Sequence, residues 1–444
     1  MRSSISLLLV GASGCLLLPA VASRAANDDQ TATRPNKHKK WRQENPPKMV
    51  VFSDSNGDAG RRFNAPASFE FEDIGPFPWK KMFDGPDSDE KTAAYLPMAG
   101  TPSNGKVWPT WLRVPDEHNF ATSSATATDT FRSRESCTGY TGEGEEFPSG
   151  TLDEQIERYM FEIVDNTHET LDYTHVIFIG TNELSRVVEA VARYGLGAAL
   201  GLANYQDPVP FDKVFEANAV TGAPVLGDDG LPVPTFAPMV EEVIGAWNAG
   251  IVKLQEAGVT GRILLANVGS PKGLPGIFGT PSAVILDQVA QALRAGALGL
   301  AATYPQVRML DMYTLFAALV DAPSIFEDLG FTAGANSLLA DGCVDVNFNV
   351  DDTAEIMGTQ AFRNPDCQEE CALCADGTSP CQSCFQGNPA ITKCDDPSSK
   401  IFFDAIHFTT DFHLVFGEAI RQCSKDYPKY DRPFVGVMCP SEMA

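Results

Sequence analysis

The chain has 444 residues, 43% of them hydrophobic, and carries a formal net charge of −25. That length fits one large α/β domain or two medium ones, and the composition excludes a coiled coil or a collagen-like polymer. The excess of negative charge argues against a general nucleic-acid-binding role and against attraction to anionic membrane surfaces.

In chain order, Arg2 and the short apolar run Ile5–Leu18 come first, followed by small residues at Ala20, Ala22, Ser23 and Ala25. This is the pattern of a secretory signal peptide over residues 1–25. Spanning a bilayer takes about 20 apolar residues, and no other segment of the sequence is long enough. The expectation is a secreted, extracellular chain with no transmembrane segment. Residues 26–47 are polar and basic and read as a disordered leader; His38 sits there among lysines.

From Lys48 the texture changes. Met49–Phe52 is apolar and stops at Ser53-Asp54-Ser55-Asn56-Gly57-Asp58, as a buried parallel strand ending in a turn does. Similar runs follow at 175–179, which stops at Gly180-Thr181-Asn182-Glu183, at 262–267, and at 307–311. Helical periodicity fills 152–164, 184–200, 240–257 and 283–302. Strands alternating with helices of this length predict a parallel sheet covered by helices. Ligands in such folds bind beyond the carboxyl ends of the strands, where Asp54, Ser55, Asn182 and Asn267 cluster. Residues 64–105, 217–238 and 333–400 read as insertions.

Six histidines are present, at 38, 118, 168, 175, 407 and 413. His175 opens an apolar strand and His168 lies near a helix end, places where a histidine is usually structural. His407 follows Asp404 by three residues, so the carboxylate can curl back onto the ring, fix its tautomer and stabilise the imidazolium. Thr409 or Thr410 is a candidate cap for a helix whose apolar stripe is Phe412, Val415, Phe416, Ala419 and Cys423. Ser55, at the end of the first strand, is the candidate nucleophile. The sequence has no G-x-S-x-G elbow, so the common α/β-hydrolase arrangement is not supported.

Five segments, in order, resemble the GDSL-type (SGNH) lipases and acylhydrolases. Val51-Phe52-Ser53-Asp54-Ser55-Asn56-Gly57-Asp58-Ala59-Gly60 is similar to the family's F-G-D-S-L-S-D-T-G, and Asn104-Gly105-Lys106-Val107-Trp108 to N-G-R-x-W. Asn119-Phe120-Ala121-Thr122-Ser123-Ser124-Ala125 is similar to N-F-A-x-G-G-A, 176–182 to the strand ending in G-x-N-D, and Asp404-Ala405-Ile406-His407-Phe408-Thr409 with His413 to D-x-x-H-P-T…H. The resemblance implies a three-layer α/β/α sandwich with a flavodoxin-like parallel sheet, over residues 48–430, with 431–444 as a C-terminal tail. It implies a Ser55–His407–Asp404 triad and an oxyanion hole from the Ser55 N–H, the backbone N–H at Ser123 (or Ser124) and the Asn182 side chain. It implies no metal and no cofactor. Ser53, Asn56, Glu183 and Phe408 depart from the family pattern, as does Ser123-Ser124 in place of two glycines.

Of the eleven cysteines, Cys15 lies in the expected signal peptide, and six fall at 367, 371, 374, 381, 384 and 394, within the insertion at about 333–400. The two C-x-x-C pairs resemble zinc half-sites, but six residues separate them where zinc ribbons leave about 15–20. Disulfides are the expected state in a secreted chain, with Cys137, Cys343, Cys423 and Cys439 supplying further partners. The expected function is a monomeric ester hydrolase acting through an acyl-enzyme on a lipid or acylated carbohydrate, with no nucleic-acid partner. The alternatives are a carbohydrate acetyl esterase, for which Trp79 and Trp108 are candidate sugar-stacking surfaces, an acyltransferase, or a binding protein that kept the fold.

Overall fold

A computed structural model describes residues 46–59, 103, 106–122, 125–131, 150–167, 169–184, 186–187, 209–218, 221, 223–227, 232–275, 278–279, 281–334, 344–347, 390–393, 397–402, 407–425 and 433–439. The fold is α/β. Four strands, β1 (Met49–Ser53), β2 (Thr174–Phe178), β3 (Ile263–Ala266) and β4 (Val307–Leu310), form one parallel sheet in the order β1-β2-β3-β4. Their registers pair Ser53 with Phe178, Ile177 with Leu265, and Ala266 with Leu310. The four apolar runs of the sequence therefore sit side by side. Continuous apolarity is what strands buried on both faces require.

Alternate side chains feed two cores. Val50, Phe52, Ile177, Ile263, Leu265, Val307 and Met309 enter one, together with residues of α1 (Leu152–Tyr159), α2 (Ala237–Glu256) and α3 (Pro281–Thr303). Met49, Val51, Val176, Phe178, Leu264, Ala266 and Leu310 enter the other, with residues of α4 (Met312–Asp321), α5 (Thr410–Cys423) and α6 (Pro433–Met438). The period-two alternation of a strand makes this division. The short helical turn Trp108–Leu112 joins the second core, with Trp108 fully buried. Trp108 therefore offers no surface for a sugar. Trp79 lies outside the described residues.

Local signals explain the helix boundaries. Thr151 caps α1 in a capping box: its hydroxyl accepts from Glu154 N at 3.3 Å and Glu154 Oε2 accepts from Thr151 N at 2.8 Å, satisfying two orphan donors at once. Thr409 caps α5, accepting from Phe412 N at 3.3 Å. The expected stripe of α5 is buried, from Phe412 to Cys423. The helix expected over 184–200 lies largely outside the described residues, as do most of the insertions at 64–105 and 333–400. Within 217–238 short antiparallel bridges join Ala217 to Pro224 and Leu226 to Pro232, and β5 (Val344–Asn347) pairs antiparallel with β6 (Ala390–Lys393).

Residues 433–438, within the stretch read as a C-terminal tail, form α6, whose Phe434, Val435 and Met438 are buried. A disulfide from Cys423 to Cys439 ties it to α5 across 16 residues, a loop length for which chain-entropy arguments give about 3 kcal/mol. No helix among the described residues is long and apolar enough to cross a membrane.

Candidate active site

The site begins with how β1 ends. Residues 119–122 run along the edge of β1 opposite β2: Val51 and Asn119 form a parallel bridge, Phe120 N donates to Val51 O at 2.8 Å and Thr122 N to Ser53 O at 3.0 Å. The Gln155 side chain of α1 completes the strand end. Its Oε1 accepts from Ser53 N and its Nε2 donates to Ser53 O, both at 3.0 Å. A primary amide matches a peptide group donor for acceptor, so both backbone groups of the last strand residue are held.

Immediately beyond, the chain turns. Gly57 N donates to Asp54 O at 3.0 Å, and Asp54 Oδ1 accepts from Asn56 N at 3.0 Å, an Asx-type turn. Gly57 is required by space: a Cβ there would stand 2.7 Å from Ser53 Cβ and Oγ. Asn119 braces the far side of the turn, with Nδ2 donating to Gly57 O at 3.0 Å and Oδ1 accepting from Ala121 N at 3.2 Å. Ser55 rides on this turn, 7% exposed. Its backbone N–H has no acceptor among the described residues.

His407 meets it from a distant part of the chain. The Ser55 hydroxyl stands at hydrogen-bond distance, 3.1 Å, from His407 Nε2. Anchors fix the backbone on the C-terminal side of His407. Phe402 and Phe408 bridge, Ser103 Oγ donates to Phe408 O at 2.9 Å, and Thr409 Oγ1 donates to Lys400 O at 2.6 Å. Phe408, where the family pattern has proline, is buried among Phe316, Phe402, Phe412 and Phe416, with ring centroids 4.7–5.6 Å apart. It anchors the loop by packing where proline would stiffen it.

Asn182 follows β2. Its Nδ2 donates to Ala125 O at 2.7 Å, which commits one of the two amide hydrogens. Gly180, just before it, has φ +136° and packs under Trp247, 3.1 Å from where a Cβ would stand. Trp247 Nε1 donates to Ile179 O at 2.9 Å and steadies the same loop. Asp404 and Ser123, the other two expected site residues, lie outside the described residues, as does Ser124.

Two buried carboxyl groups border this site. Burial raises Asp54 to about 6, against bonds from Asn56 and the nearby charge of His407, which pull it down. Burial raises Glu183 to about 7, opposed by backbone N–H bonds at Glu183, Ala127 and Thr128 and reinforced by the charge of Asp54. One oxygen of each, Asp54 Oδ2 and Glu183 Oε2, is buried without a partner among the described residues. Behind His407, His413 is buried and desolvation holds its pKa near 3, so it stays neutral.

His38 and His168 lie outside the described residues, and His118 packs edge-on against Tyr173. His175 is buried, held near a pKa of 4 by desolvation, and linked to Tyr173 O at 2.9 Å and Tyr159 Oη at 3.0 Å; it is structural. Asn267, grouped with Asn182 in the sequence, belongs to a different network: Nδ2 donates to Asp311 Oδ1 at 3.0 Å and Oδ1 accepts from Tyr313 N at 3.0 Å. Gln155 had no signal in the sequence beyond a polar residue within an apolar stripe, and Asn119 stood out only as the first residue of a short motif, without its role as a brace. Among the described residues no group of three or more His, Cys, Asp or Glu side chains is arranged to hold a metal ion.

No protein-family model matches the chain, and no curated protein matches it.

Proposed function

We propose that this chain is a serine ester hydrolase of the GDSL type, built as a three-layer α/β/α sandwich and acting through an acyl-enzyme on Ser55. The observation that carries the reading is the 3.1 Å approach of Ser55 Oγ to His407 Nε2 at the carboxyl end of β1, with Asn182 beyond the neighbouring β2. A neutral imidazole at that distance is placed to take the hydroxyl proton as Oγ attacks an ester carbonyl. The imidazolium then returns the proton to the departing alcohol, and water, activated by the same ring, cleaves the acyl-serine. Asp54 bears on the charged intermediate through space, because its carboxylate interacts electrostatically with His407. Asp404, three residues before His407, is proposed as the carboxylate that orients the ring.

The developing oxyanion requires fixed donors. The Ser55 N–H and the second Asn182 amide hydrogen serve in this reading, with Ser123 as the third donor. The substrate is an acyl ester of a lipid or carbohydrate, and the chain is secreted as a monomer after loss of residues 1–25. A fluorophosphonate probe tests the reading directly: it phosphonylates Ser55 in the wild type and not in Ser55→Ala. Hydrolysis of p-nitrophenyl esters of graded chain length then reports the acyl preference. Absence of both labelling and hydrolysis at pH 7–8 refutes the proposal.

A further inference from the structure

Asn182 and Glu183 are consecutive, and both reach the same stretch of chain. Asn182 Nδ2 donates to Ala125 O at 2.7 Å, while Glu183 Oε1 accepts from Ala127 N and, at 3.2 Å, from Thr128 N. Residues 119–122 lie along one edge of β1 and β2 along the other. These bonds therefore connect the loops on either side of the nucleophile turn, across the end of β1. Glu183 is fully buried and has no access to a substrate. A buried carboxyl whose Oε2 has no partner among the described residues is an expensive way to hold two N–H groups if stability alone were served.

Resting on the esterase reading above, we propose that Glu183 is the positioning residue of the oxyanion site: by fixing the Ala127 and Thr128 N–H groups it holds segment 125–128, and through the Asn182–Ala125 bond it sets where the Asn182 amide stands relative to Ser55 Oγ. Asn182 makes the contact with the developing oxyanion; Glu183 decides its place.

The test uses the full-length protein, a p-nitrophenyl ester and two volume-filling variants. Glu183→Leu removes the acceptor, and a misplacement on the scale of an ångström lowers kcat by about 100-fold, with KM held within about threefold because ground-state binding is not what the oxyanion donors supply. Glu183→Gln retains an acceptor oxygen at the same reach and recovers at least about tenfold of that loss. Asn182→Ala alone lowers kcat by roughly 10²–10³, and adding Glu183→Leu to it lowers kcat little further, since both act through one donor. Equal kcat for wild type and Glu183→Leu overturns the inference, as do losses that multiply in the double variant. If Glu183→Leu does not fold, Glu183→Asp, which draws the acceptor back by one methylene, replaces it: a lower kcat at constant KM supports the inference and a wild-type kcat overturns it. A wild type that neither hydrolyses the ester nor takes a fluorophosphonate fails the esterase reading itself. An active wild type with an unimpaired Glu183→Leu fails only the role of Glu183.

Discussion

The carboxyl ends of β1 and β2 and those of β3 and β4 are built from similar residues to opposite effect. At the first pair, buried Ser53 Oγ, Asp54 Oδ2, Asn56 Oδ1 and Glu183 Oε2 have no partner among the described residues. At the second pair the polar side chains are partnered. Asp311 takes Arg294 in a two-pronged pair (2.6 and 3.0 Å), the Asn267 amide at 3.0 Å and the Thr314 hydroxyl at 2.8 Å. Asp287 takes Ser270 Oγ at 2.8 Å, Lys272 Nζ at 2.7 Å, Gln291 Nε2 at 2.9 Å and Tyr313 Oη at 3.1 Å. Satisfied networks rigidify a fold, whereas unsatisfied buried groups are tolerated where something other than stability is served. On the esterase reading proposed above, the contrast separates a scaffold end of the sheet from a working end.

Substitutions at the two ends should divide accordingly. The largest effect belongs to Ser55→Ala, which lowers kcat by roughly 10⁶-fold and leaves the urea midpoint nearly unchanged, since among the described residues the hydroxyl's only partner is His407. Comparable activity in the variant would remove Ser55 from the chemistry. Next comes Asp311→Ala at the scaffold end. It strands Arg294 and the Asn267 amide and destabilises the fold by about 3–5 kcal/mol, while kcat/KM per folded molecule stays within a fewfold of wild type. Chemical denaturation with active-site titration on the same samples distinguishes the two quantities. A selective loss of kcat would erase the contrast.

Gln155→Leu lies between the ends in kind. It leaves Ser53 N without its acceptor, while Ser53 O keeps Thr122 N. The unsatisfied donor costs about 2–3 kcal/mol, and because Ser53 is two residues before Ser55, the proposed nucleophile, kcat should fall as well. A variant that loses stability with unaltered kcat would show that the clasp serves the sheet alone.

The sequence shows the scaffold more readily than the site, and the reason lies in how each is encoded. Met49–Phe52, 175–179, 262–267 and 307–311 are continuous apolar runs, and burial on both faces leaves that mark in every parallel strand. The Thr409 cap and the α5 stripe are equally local. Ser55 and His407 carry no local mark of their own; they stood out through the order of short motifs along the chain. The supports around them are tertiary. Gln155 meets Ser53 across 102 residues and Glu183 meets Ala127 across 56, and no periodicity encodes such meetings. Asn182 and Asn267 look alike as strand-end asparagines, and the folded chain sends one to Ala125 and the other into the Asp311 network.

The smallest expected effect is a difference in sign with pH, and it sharpens the comparison most. Asp54 is raised from 3.8 to about 6, chiefly by burial. Its folded form holds a proton that the unfolded chain has released, so the contribution to stability is whole below pH 3.8 and is lost as pH rises through 6. Asp311 and Asp287 go the other way. Burial would raise each, but Arg294 with Asn267 and Thr314 in one case, and Lys272 with Ser270, Tyr313 and Gln291 in the other, outweigh it and lower both. Their contribution is present above the ordinary carboxylate range and is lost as pH falls. For Asp54, a shift of about two units at 1.36 kcal/mol each bounds the effect at about 3 kcal/mol. Asp54→Asn removes the titration but leaves an amide where Oδ2 has no partner among the described residues. The variant should therefore be about 1 kcal/mol less stable than wild type at pH 4 and about 1–2 kcal/mol more stable at pH 8. Asp311→Asn should be destabilised by a nearly constant amount from pH 8 down to about pH 4, and less only below that, as pH falls through the lowered pKa of Asp311 in the wild type. Urea unfolding of both variants from about pH 2 to about pH 8 reads the slopes, Asp54 in the upper part of the range and Asp311 below about pH 4. Slopes of the same sign would mean that the two ends of the sheet are electrostatically alike, and that the unpaired oxygens around Ser55 mark no working end.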